Sequence, residues 1–296
     1  MNKGIFYIIL SGLCFVVVNF FVKLLGAGNE QVLLPHLQSY PAHELVLARA
    51  IVSFCIGLFV IKRKKLPVFG INRKWLLIRG LAGTIALTIF FYTIHHLPFA
   101  IASIIQYLAP VFTIIIAMYL LKEHVKKLQW VFIGLSFLGV LIIGLDKVFH
   151  ASINTEAISY FWFAMGVFSA GLSGIAYTAI MKLKATDAPI SIVFFFHMTA
   201  IPLMAILCIF EFTIPIGVEW IILLLIGIFT QFAQILLTRA LHLGTAATIV
   251  PFQYLSAIYA ILIGYFLFDE QLSWIVYSGI LIVMVSVIVN AVLKGK

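Results

Sequence analysis

Two short polar elements interrupt long apolar stretches of this chain: Gln106-Tyr107 and Gln253-Tyr254. A carboxamide and a phenol offer hydrogen-bond donors and acceptors but no charge change near neutral pH, so they are suited to recognition rather than catalysis. Pro110 follows Gln106 by four positions and cannot coexist with a normal helical bond to the Gln106 carbonyl; Pro251 stands in the same relation to Ala247. A freed carbonyl beside a side-chain amide makes a polar spot, tolerated in apolar surroundings where it lines protein or water. The structural alternative is hydrogen bonding between helices, worth about 0.6 kcal/mol on average. Gln231 and Gln234 are three apart and share a helix face. Asn19, Tyr92, Ser173 and Tyr177 add hydroxyl and amide groups inside or at the edge of other apolar runs. Arg49 and Arg79 lie a few residues into two such runs. A cation there must be paired, hydrated or reaching for the surface. Each has two readings: attraction of a carboxylate or phosphate, or a structural tie. For Arg79 the tie is snorkelling to headgroups, and for Arg49 it is outer-rim carbonyls or Glu44.

The ten acidic residues all fall in connections or at run ends. An intramembrane carboxylate is the usual proton carrier or counter-ion for cationic cargo, and none is available here. Facilitated movement or exchange fits better than proton-driven export of organic cations. If protons are coupled, histidine is the group at hand. His95, His96 and His242 sit at run ends and His197 inside one, and they read as satisfied rim or core residues. Their surroundings match no metal-ligand spacing, and no cofactor is implied. Cys14, Cys55 and Cys208 read as small buried apolar side chains. One catalytic alternative stands: Gly171-Leu172-Ser173-Gly174 matches the Gly-x-Ser-Gly element of rhomboid-type intramembrane proteases, which would pair Ser173 with a histidine. A channel is a further alternative, but no charge ring or filter-like loop supports it.

The elements that must position these residues follow from composition. Only 10% of the 296 residues are charged and 64% are hydrophobic, against roughly a quarter charged in soluble domains. About 20 apolar residues cross a bilayer as a helix. Ten such runs are visible, at roughly 4–25, 42–61, 75–95, 99–121, 128–145, 160–181, 189–210, 219–241, 245–268 and 273–293. The first continues past any plausible cleavage site and reads as a retained span. Fifteen Lys and Arg fall on the side of the N-terminus and only Lys147 in the opposite connections. That asymmetry predicts cytoplasmic termini and attraction to anionic lipid, not nucleic-acid binding.

The chain also repeats itself. Residues 89–130 align without gaps on 236–277, placing His95 on His242, Gln106-Tyr107-Leu108 on Gln253-Tyr254-Leu255, and Glu123 on Glu270. Gly12-Leu13 and Lys23-Leu24 match Gly171-Leu172 and Lys182-Leu183. Each half holds five spans, an odd number, so the halves should enter the membrane in opposite directions. Inverted repeats of this kind are a transporter architecture.

Arg79-Gly80-Leu81-Ala82-Gly83, Phe90-Phe91-Tyr92, Tyr107-Leu108-Ala109-Pro110 and Leu121-Lys122-Glu123, with Thr238-Arg239-Ala240-Leu241 and Phe268-Asp269-Glu270 in the second half, resemble the EamA-type drug/metabolite transporter pattern. The resemblance covers nearly the whole chain as two repeats, 1–146 and 158–296. It implies an all-α membrane protein of ten transmembrane helices around a central cavity, lined by spans 1, 3, 4, 6, 8 and 9 and not by span 2. The candidate substrate-binding set is then Asn19, Tyr92, Gln106, Tyr107, Ser173, Tyr177, Gln231, Gln234, Gln253 and Tyr254, with Arg49 and Arg79 for anion attraction. The expected function is secondary transport of a small organic metabolite across the inner membrane by alternating access. The favoured cargo is an amino acid or a derivative such as S-adenosylmethionine. No enzyme activity and no partner beyond substrate and bilayer are expected, and the bundle is expected to work as a monomer.

Overall fold

The computed structural model describes residues 3–26, 37–97, 102, 105–151, 160–256, 258–259 and 273–292. Every regular element among them is helical: α1 (Lys3–Gly26), α2 (Ala42–Lys64), α3 (Arg73–His96), α4 (Leu108–Leu121), α5 (Lys127–Ala151), α6 (Tyr160–Leu183), α7 (Pro189–Cys208), α8 (Glu219–His242), α9 (Ala246–Ile249) with a 3-10 segment over Val250–Tyr254, and α10 (Trp274–Val292). Within these residues α1, α2, α3, α6, α7 and α8 are long and apolar enough to cross a membrane. Large apolar side chains such as Phe59, Phe161, Trp220, Trp274 and Leu281 are exposed, which suits a surface solvated by lipid.

The two spans carrying the Gln-Tyr pairs are not uninterrupted helices. Tyr107 is a turn between helical Ile105-Gln106 and α4, and the second run passes from α9 into the 3-10 segment that ends at Tyr254. The reason is the proline each contains. Pro110 and Pro251 fall early in a restarted helical segment, where a missing N–H costs nothing. Ala257 and residues 260–268 of the ninth predicted span, and Glu270 after it, lie outside the described residues.

The helices pair as α1 with α8, α3 with α6, α2 with α7 and α5 with α10. Exchanging the two halves leaves this pattern unchanged, and the correspondence extends to single atoms. Ser11 Oγ donates to the Ala233 carbonyl at 2.8 Å, and Ser169 Oγ donates to the Ala86 carbonyl at 2.7 Å. Gly227 packs against Val52 as Gly80 packs against Thr199, in both cases without room for a Cβ. The residues before α2 and α7, Pro41 (φ −65°, ψ 147°) and Ala188 (φ −68°, ψ 146°), share one extended conformation. The acceptors, the glycines, their neighbours and the two caps are each 147 positions apart, the offset at which the Gln-Tyr-Leu triplets align.

Connections at each end of the bundle are tied to one another. Asp187 accepts from the backbone N–H of Ile71 (2.6 Å) and Asn72 (3.1 Å), and Glu123 accepts from Ala246 N–H (2.9 Å). Burial holds the Glu123 carboxyl above the usual carboxylate range, against the opposing pull of that N–H and of Lys184. At the other end Glu219 accepts from Gln38 N–H (2.7 Å), Ile216 N–H (2.7 Å) and the Tyr40 hydroxyl. There Glu44 accepts from Thr213 N–H (2.9 Å), and His43 bonds the Tyr92 hydroxyl and the Glu211 carbonyl. Helix α2 runs from the second rim to the first, and its 23 residues separate them by about 34 Å.

Candidate functional site

A cavity of about 150 Å3 lies between the halves, lined from α1, α2, α3, α4, α6, α7, α8 and the 3-10 segment. Arg79 is its most constrained charge. Its side chain is 2% exposed, Nη2 donates to Gln234 Oε1 at 2.9 Å, and the guanidinium carbon stands 4.3 Å from the centre of the Phe196 ring. It occupies the space that a side chain on Gly83 would fill, so the glycine one turn along α3 makes this fold-back possible. Snorkelling, the structural reading of Arg79, is therefore replaced by inward burial against an amide and a ring.

Arg49 corrects the expectation that the second span stays clear of the cavity. It is 1% exposed, lines the cavity, and stands 5.6 Å from the Phe91 ring centre. The tie to Glu44 is not made, because Glu44 serves Thr213 at the rim. Nε and Nη2 of Arg49, and Nε of Arg79, are buried without a hydrogen-bond partner.

Gln106 Nε2 donates to Ser173 Oγ at 3.1 Å, joining α6 to the segment before α4. Ser256 Oγ donates to the Tyr107 hydroxyl at 3.3 Å. Ser11, Asn19, Tyr177, Gln234 and Gln253 add to the polar lining, while Phe15, Phe90 and Phe196 supply aromatic wall. Nine of the predicted residues thus converge: Asn19, Arg49, Arg79, Gln106, Tyr107, Ser173, Tyr177, Gln234 and Gln253. Three lie elsewhere. Tyr92 is at the rim, bonded to His43 and stacked on Trp162. Gln231 is turned away from Gln234's cavity face towards Gly57 of α2, and its amide is buried without a partner. Tyr254 is fully buried, its ring 6.2 Å from that of Tyr107. Sequence reasoning missed Gly83, Phe196 and Ser256. Phe196 had a signal, since it lies 147 positions after Arg49 and so in the same slot of the other half.

The chain matches the EamA-like transporter family over residues 2–145 and again over 157–292. It belongs to that family. This EamA protein is 26% identical over 301 aligned positions to the pseudopaline exporter CntI of Pseudomonas aeruginosa, covering 100% of this chain and 98% of that one. It is also 26% identical to human solute carrier family 35 member G1, over 98% of this chain and 79% of that one. A solved crystal structure with 15% sequence identity superposes with a TM-score of 0.74 over 96% of each chain, which shows the fold alone. The EamA protein is thus a multi-pass membrane transporter, and the relatives are transporters rather than enzymes. The serine-protease alternative loses its ground: Ser173 is held by Gln106, and no histidine is among the described residues that line the cavity.

Proposed function

We propose that this EamA protein is a secondary transporter that carries a small organic metabolite across the inner membrane by alternating access, with an amino acid or amino-acid derivative as cargo. The observation that carries the proposal is the position of the cavity: its polar groups come from both halves, and the contacts around it repeat under exchange of the halves. Equivalent elements that meet opposite rims support an inverted pair of repeats, in which exchanging the roles of the halves about a pseudo-two-fold axis gives two conformations of similar energy. The lysine-rich rim, with both termini, faces the cytoplasm on this reading. All the described residues that line the cavity come from one bundle, which makes a monomer sufficient. The amides and aromatic walls suit the apolar body of an amino-acid-like molecule, and the arginines suit its carboxylate.

Counterflow tests this. Liposomes containing the purified protein are preloaded with single unlabelled amino acids or derivatives and offered the labelled compound outside. At least one preload should accelerate label entry above protein-free liposomes. Failure of every preload removes the carrier reading.

A further inference from the structure

We propose that the cavity selects a net-anionic substrate bearing two acid groups, seated on Arg49 and Arg79 together, over a net-neutral amino acid. The inference rests on the carrier reading above and adds the charge class of its cargo.

Two cations line one cavity of about 150 Å3, and none of its described lining residues is Asp or Glu. Both guanidiniums therefore add positive charge to the same cavity. Each keeps an N–H without a partner although both side chains are at least 98% buried. A cation held in a membrane interior is costly, and among the described residues neither a carboxylate nor a rim carbonyl bonds Arg49. The hydrogen bond from Arg79 to Gln234 uses a neutral acceptor and leaves the charge uncancelled. A single carboxylate would satisfy one guanidinium and leave the other bare. Two acid groups match both, through charge-assisted bonds that are roughly twice as strong as neutral ones. The ammonium of a zwitterion fares worse, because it would enter the field of two guanidiniums with no carboxylate to receive it. Gln106, Gln253 and Asn19 remain to hydrogen-bond the uncharged part.

The test uses matched probes in counterflow and thermal unfolding of the full chain at neutral pH and fixed ionic strength: glutamate against glutamine, succinate against succinamate, glycerol 3-phosphate against glycerol, and lysine. The phosphate pair separates a phosphate from a carboxylate preference. The acid of at least one pair should exchange on the order of tenfold faster than its neutral partner and raise the melting temperature, and Arg49→Gln or Arg79→Gln should each remove on the order of tenfold of that rate. Arg49→Met reports independently of transport. If the cation awaits a ligand, its removal raises the melting temperature of the empty protein and abolishes the rise given by the acid; a structural arginine gives a fall. Glutamine, succinamate, glycerol or lysine exchanging as fast as or faster than the acids, or acid exchange unchanged in both arginine variants, overturns the inference and leaves the carrier standing. Absence of counterflow for every probe overturns both.

Discussion

At the scale of single residues, the site depends on a side chain that is not there. Gly83 leaves open the volume into which Arg79 folds, and from that place the guanidinium reaches both Gln234 and the Phe196 face. A methyl at position 83 meets the terminal nitrogen directly, and the far end of a flexible arginine can give way where backbone cannot. Gly83→Ala should therefore leave the melting temperature within a few degrees while weakening the apparent affinity for the exchanged substrate by about tenfold, the size of losing one charge-assisted contact. Apparent affinity in counterflow checks it. An unchanged value would mean that the place of the Arg79 charge has no bearing on transport. Gly80, one turn earlier, differs in kind: its missing side chain makes room for α7 and not for a functional group.

At the scale of elements, the glycine contacts between neighbouring helices are equivalent in position but not in hardness. At Gly80 the closest obstacle is the Thr199 hydroxyl, and at Gly227 it is the Val52 Cβ itself. Overpacking a fitted contact costs about 1–3 kcal/mol. Both Gly80→Ala and Gly227→Ala should lower the melting temperature in detergent, Gly227→Ala more. Thr199→Ala should restore the first, because it removes the obstructing atom, whereas Val52→Ala should fail to restore the second, because alanine keeps its Cβ. Equal rescue would refute the assigned contacts. This asymmetry could not be read in advance, since valine and threonine have nearly the same shape and a sequence does not say which of their atoms meets the glycine. The elements that were legible are those fixed by length and apolarity: the ends of α1, α2, α3, α6, α7 and α8 fall within a few residues of the expected runs. The breaks at Tyr107 and Tyr254 were half legible, because proline announces a lost bond but not how the chain absorbs it. Nine of twelve site residues converge because a polar group in an apolar run must face something polar. Arg49 was misplaced by reliance on which spans line the cavity in related folds. Gln231 stands apart for a different reason: a spacing of three puts two side chains near one face, yet only Gln234 of the two lines the cavity and Gln231 lies against Gly57 of α2.

At the scale of the whole molecule, both rims are tied by a carboxylate, but one that sits on different members of equivalent pairs of elements. The segment before α7 is tied to the segment before α3 through the Asp187 carboxylate, and the segment before α2 is tied to the start of α8 through the Glu219 carboxylate. An alternating mechanism requires that these ties loosen in turn, so the balance between inward- and outward-open states is set by the difference between them. Hydrogen bonds to a charged group contribute about 1.5–3 kcal/mol each. Losing one set should therefore shift the balance by tenfold or more towards opening on its own side. A cysteine placed at Ser256, in a protein with Cys14, Cys55 and Cys208 replaced, reports this from inside the cavity. Glu219→Ala should raise its labelling by an impermeant thiol reagent applied at the Glu219 rim and lower it from the other face, and Asp187→Ala should do the reverse. The two variants combined should fall back towards the parent, because removing both ties restores the difference between the rims. If both single variants raise labelling at the same face, the rims are not opposing gates, and the repeated contacts would describe only how the bundle packs.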